Sequence, residues 1–191
     1  MVEIESKFKL SADVTREQLM SMLQDQFIAP VSCKRQIDTV FLLPEQINSP
    51  IAPGSKILRI REVLDPKTGK LMQSVMTLKV EGQTKLASDE YEVAVSDGDM
   101  ARQMLAALGW QKTVMVDKVR AESRTHEYTV CIDEVVGLGL FIELEVLIED
   151  NTQAGDIQQR MHTFLNGLGV RGQLWEIPYD TSIKQASCTQ G

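Results

Sequence analysis

Long hydrophobic runs are missing from this 191-residue chain. No window holds the roughly 18 consecutive apolar residues of a helical membrane span. The opening residues MVEIES also lack a cationic stretch followed by an apolar one, so no export signal or membrane partner is expected and the reading is cytoplasmic. Cysteine is scarce: Cys33, Cys131 and Cys188 are widely separated and form no CxxC pair, which argues against a disulfide framework or a cysteine-based zinc site. Only two histidines occur, His126 and His162, without partnered spacing. Positive charge is also short, with 20 Lys and Arg against 27 Asp and Glu. A net charge of −7 argues against a nucleic-acid partner drawn by overall attraction to phosphate, yet it leaves room for a local cationic pocket.

What is present is a globular composition, 43% hydrophobic and 25% charged, in a length that one domain can fill. The chain is expected to be a single domain over 1–191, with a core over 2–180 and a tail over 181–191. Three segments have helical period. Roughly 15 to 25 carries Leu19, Met22 and Leu23 behind a Thr15/Gln18 capping box. About 97 to 108 starts at Asp97, aligns Met100, Met104, Leu105 and Leu108, and stops at Gly109. About 153 to 168 aligns Ile157, Met161, Phe164, Leu165 and Leu168 before Gly169. Methionine stripes at this spacing are read as core. Strand pattern covers 2–10, 37–43, 56–64, 72–81, 89–95, 113–124, 127–135 and 140–148, with turns at DPKTGK, EGQ and GLG.

Those strands share a peculiarity. In VEIESKFKL, Glu3, Glu5 and Lys7 fall on one face and Val2, Ile4, Ser6 and Phe8 on the other. KILRIRE pairs Arg59 with Arg61, MTLKVE aligns Thr77, Lys79 and Glu81, and DEYEV aligns Glu90 and Glu92. DKVRAESR aligns Lys118, Arg120 and Glu122, Cys131 shares a face with Asp133, and FIELEV aligns Glu143 with Glu145. Two arrangements satisfy such faces: a sheet packed on helices with one face wet, or a closed barrel with a charged interior. Enclosed charges of both signs must neutralise one another, bind metal or meet an anionic ligand. The basic groups Arg59, Arg61, Lys79, Lys118 and Arg120 suit the oxygens of a triphosphate. Glu3, Glu5, Glu143 and Glu145 are hard oxygen ligands for Mg²⁺ or Mn²⁺.

Taken in order, ExExK, LRIRE, TLK, the ExE of DEYEV, the KxR of DKVRAE, the Asp of CIDEVVGLG and the ExE of FIELEV resemble the CYTH superfamily, the triphosphate tunnel metalloenzymes. The resemblance runs from Val2 to about Val146, with an echo at Pro178 and Tyr179. It implies an α+β fold: a closed antiparallel eight-stranded β-barrel, the triphosphate tunnel, with helices packed outside. It implies Mg²⁺ or Mn²⁺ on Glu3, Glu5, Glu143 and Glu145, with Glu92 in support. It further implies a triphosphate held by Arg59, Arg61, Lys79, Lys118 and Arg120, and Lys7 and Asp133 in catalytic roles.

The chain departs from the family pattern at three places. Leu42 and Leu43 follow Phe41, Val80 and Glu81 precede Gly82, and Ser88 and Asp89 precede the central ExE, where Lys85 is the nearest basic substitute. The layout of LGW, VDKVR and VVGLG is closest to compact bacterial class IV adenylyl cyclases, which turn ATP into cyclic AMP and pyrophosphate. A thiamine or inorganic triphosphatase, with Lys7 or Lys184 helping water, is the alternative. A non-catalytic nucleotide or polyphosphate binder is the second. A homodimer is compatible with either.

Overall fold

The computed structural model describes residues 2–47, 49–82, 89–149 and 154–188. In chain order the elements are β1 (Val2–Leu10), α1 (Arg16–Leu23), β2 (Ser32–Leu42), β3 (Lys56–Leu64), β4 (Leu71–Val80) and β5 (Asp89–Val95). They continue with α2 (Gly98–Ala107), β6 (Gln111–Arg124), β7 (Thr129–Val135), β8 (Gly139–Ile148), α3 (Ala154–Gly167), β9 (Gly172–Leu174) and α4 (Tyr179–Cys188). Residues 1–33 and 118–178 form one compact unit, and 34–117 with 179–191 form a second.

In the first unit the strand order is β6-β7-β8-β1-β9, with antiparallel pairing throughout. Its apolar faces meet α1 and α3 in one core. Ile4, Phe8, Ile132, Ile142 and Leu144 from the strands pack with Leu19, Leu23, Ile157, Met161 and Leu165 from the helices. Alternation forces the opposite faces of the same strands to carry Glu5, Lys7, Arg120, Asp133, Glu143 and Glu145. α1 begins as the sequence predicts: the Thr15 hydroxyl accepts from the Gln18 amide while the Gln18 side chain accepts from the Thr15 amide. The close approach of β9 to β1 depends on Gly172, where a Cβ would lie 2.9 Å from the Phe8 Cβ.

In the second unit the order is β5-β4-β3-β2-β6. α2 covers its apolar face, where Phe41, Leu58, Ile60 and Leu105 are buried and Met76, Leu78, Ala101 and Trp110 pack against them. Asp97 caps α2 by accepting from the Met100 amide, and the left-handed Gly109 ends it. The turn of DPKTGK is held by the Asp65 carboxylate, which accepts from the Lys67 and Thr68 amides.

The expected antiparallel sheet with helices packed outside is what forms. Several expectations are revised in detail. Hydrogen bonding among the described residues runs through nine strands with ends at β5 and β9 and does not close, where the resemblance implied eight closed strands. β2 starts at Ser32, five positions before the predicted strand. Residues read as a tail form most of α4. The α2 methionine stripe is not core: Met100, Met104 and Leu108 are exposed, because Ala101 and Leu105 are the side chains that face the sheet.

Candidate functional site

The register of β1, β8, β7 and β6 brings the predicted charges of the first unit into contact. Glu5 lies opposite Glu145 and Lys7 opposite Glu143, while Asp133 lies opposite Arg120. The carboxylate oxygens of Glu5, Glu143 and Glu145 lie within 4.8 Å of one another. Three carboxylates so close repel unless cations intervene, and cations are there. Arg120 donates to Asp133 through Nε at 2.7 Å and Nη2 at 2.6 Å. Its Nη2 also donates to Glu143, and its Nη1 stands 3.7 Å from Glu145. Lys118 Nζ donates to Asp133 at 2.7 Å, and Lys7 Nζ lies 3.9 Å from Glu143.

Burial sharpens these interactions. The Asp133 side chain is 0% exposed and that of Lys118 4%. Burial alone would raise the Asp133 carboxyl, but the hydrogen bonds from Arg120 and the charges of Lys118 and Arg120 hold it down at about 2. For Lys118 burial prevails over the attraction of Asp133 and lowers the ammonium pKa. Arg120 moves the other way, because its hydrogen bonds to Asp133 and the charge of Glu143 outweigh burial. Among the described residues four carboxylates here face three cations, a balance that suits a divalent cation. A hard, all-oxygen donor set fits Mg²⁺ or Mn²⁺. Glu3 lies in β1 opposite Leu147, and its side chain is outside the described residues.

The second unit holds the other predicted cations. Arg61 makes a two-pronged pair with Asp38, at 2.6 and 2.7 Å. Arg59 donates to the Thr77 hydroxyl at 3.2 Å, which in turn donates to Glu92 at 3.2 Å. Lys79 reaches Glu81 at 3.4 Å. Arg59 is held less completely: its Nε is buried with no hydrogen-bond partner among the described residues. Burial lowers its pKa, and repulsion from Arg61 adds to this, against the opposing pull of Asp38, Glu90 and Glu92. A buried guanidinium with an unmet donor is a demand for an anion. Glu92 is therefore bound into the Arg59 and Thr77 chain of this unit, while the carboxylates grouped closely enough to hold a metal, among the described residues, are Glu5, Glu143 and Glu145. Lys85 and Ser88 fall outside the described residues.

Reading the sequence missed some members. Asp38, inside the predicted strand 37–43, was given no role in the site, although its position opposite Arg61 makes it that residue's anchor. Phe141, Trp175 and Lys9 were not singled out. They meet beside Lys7: Lys9 Nζ lies 4.9 Å from the Trp175 ring centre and 5.9 Å from that of Phe141. Alternation along FIELEV puts Phe141 on the face of Glu143 and Glu145, a signal already present in the sequence.

The chain that carries this charged face matches a known family model, the CYTH domain, over residues 1–173. The chain belongs to the CYTH family. Members are metal-dependent adenylate cyclases or triphosphatases, and this CYTH chain is an enzyme of that group. A Methanocaldococcus jannaschii protein whose name provisionally makes it an adenylate cyclase is 26% identical over 170 residues, 89% of this chain and 91% of the relative. The adenylate cyclase CyaB of Aeromonas hydrophila is 28% identical over 95 residues, about half of each chain. In fold the chain is similar to the PH1819 protein of Pyrococcus horikoshii, with a TM-score of 0.71 at 21% identity, covering 96% of this chain and 98% of that one.

Proposed function

We propose that this CYTH protein is a class IV-type adenylyl cyclase that converts ATP to cyclic AMP and pyrophosphate with Mg²⁺ or Mn²⁺. The observation that carries the reading is the grouping of the Glu5, Glu143 and Glu145 carboxylates, with Lys7 against Glu143 and Arg120 against Glu143 and Glu145. The 3′-hydroxyl oxygen of ATP forms a bond to the α-phosphorus, the bond from that phosphorus to the bridging oxygen of the β-phosphate breaks, pyrophosphate leaves with that oxygen, and the hydroxyl proton passes to solvent. Such phosphoryl chemistry asks the protein for positioning and charge neutralisation.

Glu5, Glu143 and Glu145, with Glu3, would hold the metal. When bound, a divalent ion neutralises charge developing on the phosphate oxygens. Lys7, Lys118 and Arg120 would grip the polyphosphate, and Arg59, Arg61 and Lys79, within their own unit, are proposed phosphate contacts. Asp133 was first placed among the catalytic residues. Its carboxylate, held ionised by Arg120 and Lys118, suits it to aim those cations rather than to carry a proton. Lys7, whose ammonium stands beside Glu143, remains the candidate for direct contact with the reacting phosphate.

The deciding experiment incubates purified protein with ATP, tripolyphosphate or thiamine triphosphate, each with Mg²⁺ or Mn²⁺, and separates the products. Cyclic AMP with pyrophosphate is expected. Orthophosphate without cyclic AMP would move the enzyme to the triphosphatases of its family. Absence of any product would favour a nucleotide or polyphosphate binder.

Arg59→Ala provides a second test. Its unmet Nε would be met by a phosphate oxygen, and a charged hydrogen bond contributes about 1.5–3 kcal/mol. The substrate requirement should therefore rise about 10- to 100-fold, with turnover at saturation changed far less. An unaltered KM would remove Arg59 from the substrate site.

A further inference from the structure

Two aromatic side chains of the first unit stand apart from its apolar core. Phe8 and Tyr128 are buried in the cluster under α1 and α3, with Phe27 and Phe164 packed against it. Phe141 and Trp175 instead meet each other at 6.0 Å between ring centres, edge to face at 68°, beside the charged groups. Phe141 lies opposite both Lys9 and Asp133, and two residues along β8 comes Glu143. Trp175 follows β9, and its backbone N–H donates to the Lys7 carbonyl at 2.8 Å. The indole is thus fixed alongside the strand that presents Lys7. Phe141 is fully buried, whereas Trp175 is half-buried, so of the two rings the indole is the one that keeps solvent-accessible surface. Lys9 Nζ lies 4.9 Å from its centre, adding a cation at the same place.

We propose that Trp175, backed by Phe141 and flanked by Lys9, is the stacking platform for the base of a nucleoside triphosphate whose phosphates lie on the Lys7, Lys118 and Arg120 group. The inference rests on the polyphosphate reading of that group and deepens it. Inorganic tripolyphosphate has no base, so the platform would separate nucleotide from inorganic substrate. The arrangement matches the ligand: about 7 Å of strand separates Lys7 from Lys9, so the aromatic wall begins one side chain beyond the phosphate-facing cations. A flat, partly exposed ring is tolerant of base identity, since every base has a π-face. The ammonium of Lys9 faces the same ring and adds a hydrogen-bond donor for a base or ribose acceptor.

The test measures binding of ATP and of tripolyphosphate, both with Mg²⁺, to wild type, Trp175→Ala and Trp175→Phe. Stacking of one base on one aromatic ring predicts an ATP affinity about 5- to 100-fold weaker in Trp175→Ala, tripolyphosphate affinity unchanged, and most ATP affinity restored in Trp175→Phe. A structural role for the indole would weaken both ligands together, and that result overturns the proposal, as does unchanged ATP affinity. Because Trp110 is the other tryptophan, a Trp110→Phe protein lets the emission of Trp175 be followed with its ring intact. ATP should change that emission and tripolyphosphate should leave it nearly alone; equal responses count against the platform. If wild type binds tripolyphosphate and not ATP, the platform falls and the polyphosphate site stands. If it binds neither, the polyphosphate reading itself falls.

Discussion

Glu143→Gln is expected to lower turnover about 100- to 1000-fold at fixed metal concentration, while unfolding remains cooperative and close to wild type. Glu143 is where three demands meet: it contributes one of the three neighbouring carboxylates, it accepts from Arg120, and Lys7 stands 3.9 Å away. A metal at a phosphoryl centre contributes several kcal/mol to the transition state, and each tenfold in rate corresponds to about 1.4 kcal/mol. Glutamine keeps the shape and one acceptor oxygen but removes the charge. Stability should change little, because the substitution also lowers the surplus of carboxylate over cation around Arg120. Turnover and Mn²⁺ affinity by calorimetry, on Glu143→Gln and on Glu5→Gln, check the result. Wild-type turnover in both variants would remove the metal from this cluster.

The same geometry places metal and guanidinium in competition. Arg120 donates to Glu143 and approaches Glu145, two of the three carboxylates a metal would use. A divalent ion held by those oxygens would weaken their hold on Arg120, and the guanidinium would stay anchored to Asp133 and become available to a phosphate. Metal and triphosphate should therefore favour one another, and by linkage each must raise the other's affinity by the same factor. Arg120→Gln should bind Mn²⁺ more tightly than wild type when triphosphate is absent and gain less from adding it. Calorimetric titrations with and without tripolyphosphate measure both terms, and unaltered coupling in the variant would remove Arg120 from the linkage.

How far these features could be read from the sequence follows the range of the interactions involved. Helix periods, caps and strand alternation are local, so α1, α2, α3 and seven of the eight long strands lie within two residues of their predicted spans, while β2 starts five positions early. β9 has three residues, too few for alternation to register, and it exists because β1 offers an edge. The Met100, Met104 and Leu108 stripe was legible as a stripe, but which side of α2 meets the sheet depends on the strands beneath it. Charged faces were legible too; their partners were not. Lys118 and Asp133 are fifteen positions apart and meet only through the β6–β7 register. Nothing local to KILRIRE indicates that Arg61 is satisfied by Asp38 while Arg59 retains an unmet donor. Family resemblance supplied the grouping of glutamates from β1 and β8, which lie well over a hundred residues apart in sequence.

Asp133→Asn is expected to cost about 3–5 kcal/mol of unfolding free energy, the usual consequence of removing one partner from a buried pair. Asp133 is the anchor for two cations, and Lys118 beside it is 4% exposed. Asparagine can accept a hydrogen bond but cannot balance a buried ammonium already lowered in pKa by its burial. The pH dependence gives an independent check. The folded Asp133 value of about 2 lies below the ordinary value of about 3.9. Its contribution is thus fully present above the ordinary value and is lost as pH falls through about 2. Wild type should lose stability across that acid range, and Asp133→Asn should lack that component. At alkaline pH the sign reverses for Lys118: without Asp133 its folded pKa falls further, the unfolded chain binds the proton better, and the variant should recover stability as pH rises. Urea unfolding at acid, neutral and alkaline pH follows all three trends. A variant within 1 kcal/mol of wild type at neutral pH would show that Asp133 does not hold this centre together.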